Sequence, residues 1–145
     1  MRLINTGVVN SLTVHLDGHK LEVIAADMVP VVPYETDWLN IHIGQRYDVI
    51  ITASLKPGNF WFRVAAPDEC SLMANNRGIL AIFNIASKVA EPTGTAEYPV
   101  DCTDEKRNVP HIAHSVPRDQ FSVSGHGNLT STLDEAKLNV WTING

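Results

Sequence analysis

The sequence predicts an all-β domain, an antiparallel sandwich or barrel, and three observations carry this prediction. Short runs of apolar and β-branched residues recur along the chain at roughly ten-residue intervals. Glycine, proline, asparagine and aspartate, which favour turns, separate these runs. No segment holds a convincing amphipathic helical stripe. With 145 residues, the chain has the length of one domain.

Most of the predicted strands lie in the first two-thirds of the chain. Residues 13–16 and 20–24 are predicted to pair as a hairpin across Asp17-Gly18, because both residues of such a turn tolerate positive φ. Residues 29–33 contain two prolines and therefore favour an edge or a crossover over a central strand. Further strands are predicted at residues 38–43, 47–52, 60–64 and 78–83.

Alternation gives two of these strands a face that is expected to lie in the core. The residues on those faces are Leu39, Ile41, Ile43, Tyr47, Val49 and Ile51. Arg46 and Asp48 fall on the opposite face of their strand, where they can form ion pairs or bind backbone at the rim of the sandwich. We therefore interpret this charged segment as structural and not as catalytic.

The chain changes character after residue 86. Residues 87–136 contain four prolines, with glycine, serine and threonine between them and little periodicity. A loop of this length is unusual inside a compact domain. We therefore predict a linker at 87–136, a domain at 1–86 that is incomplete at its N-terminus, and the first strand of another domain at 137–145. No signal peptide precedes the first predicted strand.

Charge and hydropathy exclude two classes of partner. The net charge is −5, from 11 basic and 16 acidic residues, and lysine and arginine do not cluster. This pattern is not typical of a protein that binds nucleic acid. No apolar run reaches the length of a membrane span. We expect neither nucleic acid nor a membrane as partner.

Six histidines make a metal site worth testing. His15 and His19 lie on either side of the predicted turn, and His42 alternates with apolar residues. His111 and His114 are three residues apart, but prolines bound their segment and make a helix doubtful. We expect each of these residues to be an ordinary half-buried or surface histidine and not a metal ligand.

A copper site can be tested more strictly, because it requires particular ligand residues at particular spacings. A blue-copper site needs a cysteine, two histidines and usually a methionine, with cysteine, histidine and methionine close together on one loop. Cys70 has Met73 nearby but no histidine, and Cys102 has no methionine after it. The chain also lacks the paired His-X-His motifs that a trinuclear cluster uses. We therefore predict that this chain holds no complete copper site.

The other short motifs of the sequence give little evidence of a function. Ser124-Gly125-His126-Gly127 is not a nucleophile elbow, so we assign no catalytic residue. Asn128 begins an N-glycosylation acceptor, which matters only in a secreted protein. Cys70 and Cys102 are free thiols if the protein is cytosolic and a bridge if it is secreted, and their positions leave both readings open.

Four segments occur in a characteristic order and spacing: Arg-Leu-Ile-Asn-Thr-Gly from residue 2, Leu-Asp-Gly-His from residue 16, Val-Ile-Ala-Ala-Asp-Met-Val-Pro-Val from residue 23, and Ile-Gly-Gln-Arg-Tyr-Asp-Val-Ile from residue 43. Together they resemble the second plastocyanin-like domain of fungal laccases, which are multicopper oxidases, and they look closest to the ascomycete type. The later segments Asn59–Arg63, Gly78–Leu80 and Val140–Gly145 agree as well. The resemblance covers essentially the whole chain and implies a Greek-key, cupredoxin-like β-sandwich.

The resemblance implies a function for the intact enzyme. Laccases of this type are secreted, glycosylated, three-domain enzymes that oxidise phenols and reduce dioxygen to water. Their copper ligands come from the first and third domains, so the resemblance implies copper in the intact enzyme and none bound by this chain. The flanking cupredoxin domains are its implied partners, and a phenol is the implied substrate. The acidic residue that accepts the phenol proton would lie upstream of Arg2.

The resemblance also implies roles for particular residues. Leu133, Asn139 and Trp141 match positions that line the substrate site in ascomycete laccases. Asn139 departs from the aromatic residue that is frequent there, which puts the shape of the pocket in doubt. The position of Trp141 is equally consistent with an ordinary core residue of a β-strand. The family also favours a disulfide between the positions of Cys70 and Cys102.

We therefore predict a fragment of a secreted, laccase-like multicopper oxidase that is inactive alone. One alternative is a self-standing, non-catalytic cupredoxin-like module for binding or assembly. Another is a multicopper oxidase whose substrate is a metal ion or a pigment precursor.

Overall fold

A computed structural model of the chain describes residues 1–53, 56–67, 78–85, 88–97, 103–115, 129–133 and 139–143. These residues form strands, turns and bends, and none of them lies in a helix. A membrane-spanning helix is accordingly not found among them. The predicted all-β class is confirmed. The chain divides into two compact units, Met1–Ala113 and His114–Gly145.

Two antiparallel four-stranded sheets form the first unit. The strands of one sheet are, in spatial order, β1 (Arg2–Ile4), β6 (Arg46–Ile50), β3 (Leu21–Ala26) and β4 (Val29–Thr36). Those of the other are β5 (Trp38–Ile41), β2 (Leu12–Leu16), β7 (Asn59–Ala65) and β8 (Ile79–Asn84). Neighbours in space are mostly not neighbours in sequence, so the chain crosses between the sheets several times.

The core is built from alternate residues of five of these strands. Its buried members are Val14, Leu16, Leu21, Val23, Val31, Leu39, Ile41, Tyr47 and Val49. Four of the six predicted core residues are therefore confirmed as buried, and Ile51 packs partly against them. Ile43 is 49% exposed, contrary to prediction. It lies beyond the end of β5, next to the turn at Gly44 (φ +77°), where strand alternation no longer applies.

The predicted hairpin across Asp17-Gly18 is wrong. Gly18 does adopt positive φ (+69°), but β2 and β3 on either side of the turn belong to different sheets. β2 is paired on one edge with β5 and on the other with β7, so neither edge is left for β3. The Asp-Gly turn therefore carries the chain from one sheet to the other.

The tight hairpin of the first unit joins β3 and β4 instead. Its two loop residues, Asp27 and Met28, both have positive φ (49° and 71°), as a type I′ turn requires. Arg46 holds the turn, because its backbone N–H donates to Asp27 Oδ1 (3.0 Å) and its Nη1 lies 3.3 Å from the same oxygen. β4 ends the order of its sheet, as its prolines predicted.

Arg46 and Asp48 form their ion pairs with other residues and not with each other. Asp48 accepts two hydrogen bonds from the guanidinium of Arg2 on β1, at 2.6 and 2.8 Å. Arg46 pairs with Asp27 and donates to the carbonyl of Gly44. Both arginine–aspartate pairs lie at the rim of the sandwich, which supports the structural interpretation of this segment.

A second type of ion pair is buried. Arg63 on β7 is 5% exposed and donates to both carboxylate oxygens of Asp17, at 2.6 and 2.7 Å. Its Nη2 also donates to the carbonyl of Gly94 (2.7 Å). A Cβ at position 94 would lie 2.8 Å from Asp17 Oδ2, so glycine is needed for this close approach. The hydrogen bonds from Arg63 hold the pKa of Asp17 below its ordinary value of 3.8.

Part of the sequence after residue 86 packs on the sandwich. Residues 107–111 run beside β4, where the N–H of Val32 donates to the carbonyl of Val109 (2.8 Å). The Asn108 amide donates to the Tyr47 hydroxyl (3.0 Å) and accepts from that of Tyr34 (3.0 Å). Burial raises the pKa of both tyrosines, so both phenols stay protonated at neutral pH.

The boundaries of the linker at residues 87–136 stay a prediction. Within that range the structure adds two features that periodicity did not indicate. One is the pairing of residues 108–111 with β4, including the bridge between Val31 and Pro110. The other is a strand at Leu129–Leu133, which belongs to the second unit.

Met28→Gly is expected to stabilise the chain by roughly 0.5–1 kcal/mol. An L side chain at positive φ is strained, and relief of that strain outweighs the added flexibility of glycine in the unfolded chain. Urea unfolding followed by tryptophan fluorescence measures the change. Met28→Ala is the matched control, because it trims the exposed side chain and keeps Cβ; it should leave stability nearly unchanged. A destabilised Met28→Gly would contradict the assignment of strain to this turn.

Asp17→Asn is expected to destabilise the first unit by roughly 3 kcal/mol at neutral pH, because it leaves the Arg63 guanidinium buried without its counter-charge. The wild-type pair should also depend on acid. A carboxylate whose pKa is lowered on folding stabilises the fold above its unfolded pKa, and this stabilisation is lost as pH falls through the folded pKa. The free energy of unfolding should therefore fall below about pH 4 in the wild type and fall less in Asp17→Asn.

Urea unfolding between pH 7 and pH 2.5 tests this expectation. Asp48→Asn provides the control, since the Arg2–Asp48 pair has similar geometry but Arg2 is 54% exposed. Water and salt screen such a pair, so its loss should change stability much less. Equal effects of the two substitutions would show that burial does not distinguish the pairs.

Candidate functional site

The three predicted pocket-wall positions lie on one hairpin of the second unit. β9 (Leu129–Leu133) pairs with β10 (Asn139–Ile143) in antiparallel register. Position 133 is opposite 139, and position 131 is opposite 141. Because successive positions of a strand alternate between faces, positions 133, 139 and 141 share one face of this β9–β10 hairpin. Backbone pairing thus brings the three positions together.

Trp141 is the large exposed side chain of this hairpin. It is 65% exposed, whereas core residues of the first unit are below 10%. Its cross-strand partner Ser131 is also exposed. Directly opposite residues have Cβ atoms roughly 5 Å apart, so Ser131 and Trp141 are close neighbours on one face. Trp141 therefore lies at the surface of the residues that the structure describes.

The opposite face of the hairpin carries threonines. The hydroxyls of Thr130 and Thr142, which are cross-strand partners, are 2.7 Å apart and hydrogen-bonded. Thr132 is paired with Val140 on the same face. A slip of one residue would exchange the two faces and break the hydroxyl pair, so this contact helps to hold the register.

Neither Ser131 nor the strand that carries it is predicted from the sequence. The signal was present, because Leu-Thr-Ser-Thr-Leu at residues 129–133 contains two β-branched residues bounded by leucines. The prolines and glycines before it concealed this short run within the predicted linker. Only the pairing with β10 identifies Ser131 as the neighbour of Trp141.

Three predicted residues lie outside the described part of the chain. They are Cys70, Cys102 and Asn128. The disulfide and the glycosylation site therefore stay predictions.

Three histidines of the first unit, His15, His19 and His42, contact protein groups through their rings. Each ring has an Nδ1 contact: His15 with the Asp37 carbonyl (2.7 Å), His19 with the Asp17 carbonyl (2.9 Å) and His42 with the Ser11 hydroxyl (2.7 Å). His15 also stacks on Trp38, with ring centroids 4.2 Å apart. Over the described ranges, histidine, cysteine and acidic residues form no cluster of three with metal-binding geometry. The donor set of these residues does not fit a copper site.

The first unit also has a polar pocket of about 310 Å³. Its lining residues are Gly18, His19, Lys20, Glu22, Glu35, Ile50 and Thr52. Glu22 and Glu35 are cross-strand partners on β3 and β4, and Lys20 is paired with Asp37 (2.6 Å). Phenol sites are walled mainly by apolar and aromatic side chains, so this charged lining does not match the predicted substrate.

Known proteins resemble the chain along most of its length. The family model for multicopper oxidase matches residues 1–84. Laccase-3 of Botryotinia fuckeliana is 42% identical over 124 residues, which are 84% of this chain and 27% of that protein. Laccase-2 of the same fungus is 39% identical over 150 aligned residues, covering 99% of this chain and 25% of that protein.

A solved structure agrees with these relatives. The crystal structure of the laccase from Botrytis aclada superposes with a TM-score of 0.80 and 36% identity. The match covers 99% of this chain and 26% of that one. The chain spans about a quarter of the length of the relatives that it matches. Both the family match and these identities extend over more than half of the chain, and the chain belongs to the multicopper oxidase family.

Proposed function

We propose that this chain forms the middle domain of a secreted laccase that oxidises phenols and reduces dioxygen to water. The observation that carries the proposal is the exposed Trp141 on a hairpin face that also holds positions 133 and 139. The exposed indole offers a large apolar surface for contact with a ligand or another domain. The similarity to fungal laccases over nearly the whole chain favours a phenol as that ligand.

The hairpin would bind the aromatic ring of the substrate. The indole of Trp141 offers an exposed face, against which a phenol ring can stack. The backbone register puts positions 133 and 139, a leucine and an asparagine in the sequence, on the same face of the hairpin. An amide where an aromatic residue is frequent in ascomycete laccases would make the wall more polar, and we infer a preference for phenols with polar substituents.

Copper would be held by the flanking domains and not by this one. In the proposed enzyme, bound copper supplies electron transfer from the phenol to dioxygen. This chain would contribute to binding and positioning of the substrate. The acidic group that takes the phenol proton would also come from sequence before Arg2.

The sandwich would serve as the rigid support between the outer domains. The Asp17–Arg63 pair and the Asn108 hydrogen bonds tie loop segments of the first unit to its strands. The backbone is still bonded to β4 at His111, whose N–H donates to the Pro30 carbonyl (2.9 Å). The chain is therefore anchored up to the last residues of this unit, as a spacer between domains requires. A Cys70–Cys102 disulfide and a glycan on Asn128 would belong to the secreted form.

Trp141→Ala in the full-length protein is expected to raise KM for 2,6-dimethoxyphenol roughly 10-fold, since loss of a stacking surface is worth about 1 kcal/mol or more. Steady-state oxidation with oxygen uptake measures the effect. Val140→Ala is the matched control, because it changes the neighbouring position on the other face of β10. Copper content should be unchanged in both variants.

Comparison of the wild-type full-length protein with the present chain distinguishes the proposed function from its alternatives. The wild-type full-length protein should bind copper and oxidise the phenol, and the present chain alone should do neither. An intact gene without His-X-His motifs on either side would instead favour a self-standing cupredoxin module. Oxidation of a metal ion or a pigment precursor, without activity on simple phenols, would overturn the proposed substrate class.

A further inference from the structure

We propose that β8 is a self-association surface, which pairs with β8 of a second copy of this chain. β8 (Ile79–Asn84) ends the order of its four-stranded sheet, so among the described strands β7 is its one hydrogen-bonded neighbour. Antiparallel pairing of two copies joins their sheets into one sheet of eight strands. The proposal concerns an association of the chain and does not depend on the proposed substrate.

β8 is apolar and exposed along most of its length. Ile79 is 69% exposed, Leu80 45% and Ile82 38%, and Ala81 is exposed as well. The strand has the sequence Ile-Leu-Ala-Ile-Phe-Asn, so none of its residues carries a charge. An apolar edge strand presents unpaired backbone donors and acceptors beside hydrophobic side chains. Pairing with another strand satisfies the backbone groups and removes the apolar side chains from water.

The other edge strands of the first unit have features that prevent such pairing. β4 is covered by its own chain, through the bridge between Val31 and Pro110 and the hydrogen bond from Val32 to Val109. β1 has three residues, one of which is the charged Arg2, and β5 has four residues. Short strands, charges and covering segments are common means of protecting a sheet edge. In the part of the chain that the structure describes, β8 shows none of these features.

The two faces of β8 allow two copies to share one register. Its core face consists of Ile79, Ala81 and Phe83, which are opposite core-packed residues of β7. A two-fold axis at Ala81 places this residue opposite itself in the second copy. Leu80 is then opposite Ile82 on the outer face. Ile79 is opposite Phe83 on the core face. Each apolar residue thus meets an apolar residue, and both cores lie on the same side of the joined sheet.

The charge distribution favours a second copy of the chain over a charged partner. The net charge is −5, so two copies repel each other at long range. β8 itself is uncharged, and Arg63, which is opposite Leu80 on β7, is buried and paired with Asp17. Two β8 strands therefore meet without an unpaired charge between them. One strand pair buries less than a standard interface of roughly 1,600 Å², so we expect a weak dimer that depends on concentration.

Sedimentation velocity of the 145-residue chain tests for this dimer over about a hundredfold range of protein concentration. The mean mass should rise from that of one chain toward that of two. Ile82→Lys places a charge opposite Leu80 of the second copy and should raise the dissociation constant about 10-fold or more. Val8→Lys is the matched control, because it makes the same change at an exposed residue outside β8. It should leave the dissociation constant unchanged.

Disulfide trapping tests the register without a charged substitution. Ala81→Cys should form covalent dimers on oxidation with diamide, because directly opposite residues have Cα atoms about 4.5–5.5 Å apart, within the range of a disulfide. Ile79→Cys is the control, since the two copies of position 79 are offset by roughly 13 Å along the strands and should not be trapped. All variants keep Cys70 and Cys102, so wild-type chain oxidised in parallel gives the background.

The outcomes decide the proposal independently of any oxidase activity. A wild-type chain that sediments as one chain at every concentration would overturn it. So would a dimer that Ile82→Lys weakens no more than Val8→Lys does, or that Ile79→Cys traps as readily as Ala81→Cys. A dimer weakened at position 82 and trapped at position 81 supports it. Far-UV circular dichroism reports that each variant is folded, and if Ile82→Lys is not, the two cysteine variants decide alone.

Discussion

The ion pair between Asp17 and Arg63 is the interaction on which the arrangement of the first unit depends. An arginine that is 5% exposed has lost most of its hydration, and the paired carboxylate compensates for this loss. The pair holds the turn after β2 against β7 and also binds the carbonyl of Gly94. It thereby fixes the point where the chain leaves one sheet for the other. β3 begins in the other sheet just after that point.

A second polar network lies beside β4, an edge strand of the first unit. The amide of Asn108 bridges the hydroxyls of Tyr34 and Tyr47, and residues 108–111 pair with β4. Tyr47 is 1% exposed, so its phenol needs a partner within the protein. The docked segment supplies this partner and also covers an edge strand that could otherwise pair with another chain. Residues without strand periodicity therefore contribute both to the core and to the protection of the sheet.

The candidate site depends on pairing and not on local sequence. Trp141 and Leu133 are recognisable as pocket positions by resemblance, but nothing local places them on one face. The register of β9 with β10 does so, and it also brings Ser131 opposite Trp141. Resemblance could not indicate Ser131, because a serine between two threonines in a proline-rich region has no distinctive local signal. The same ladder separates the threonine face from the face proposed to bind substrate.

The sequence by itself determined the all-β class, the family, most of the core and the edge position of β4. These depend on local properties: alternation buries Leu39, Ile41, Tyr47 and Val49, and prolines cannot donate in a central ladder. Tertiary structure alone decided which strands pair. A turn such as Asp17-Gly18 has the same positive φ in a hairpin and in a crossing between sheets, so local sequence cannot distinguish them. In this fold β5 and β7 occupy both edges of β2, and Arg63 binds the carboxylate of Asp17. The turn therefore leads to the other sheet.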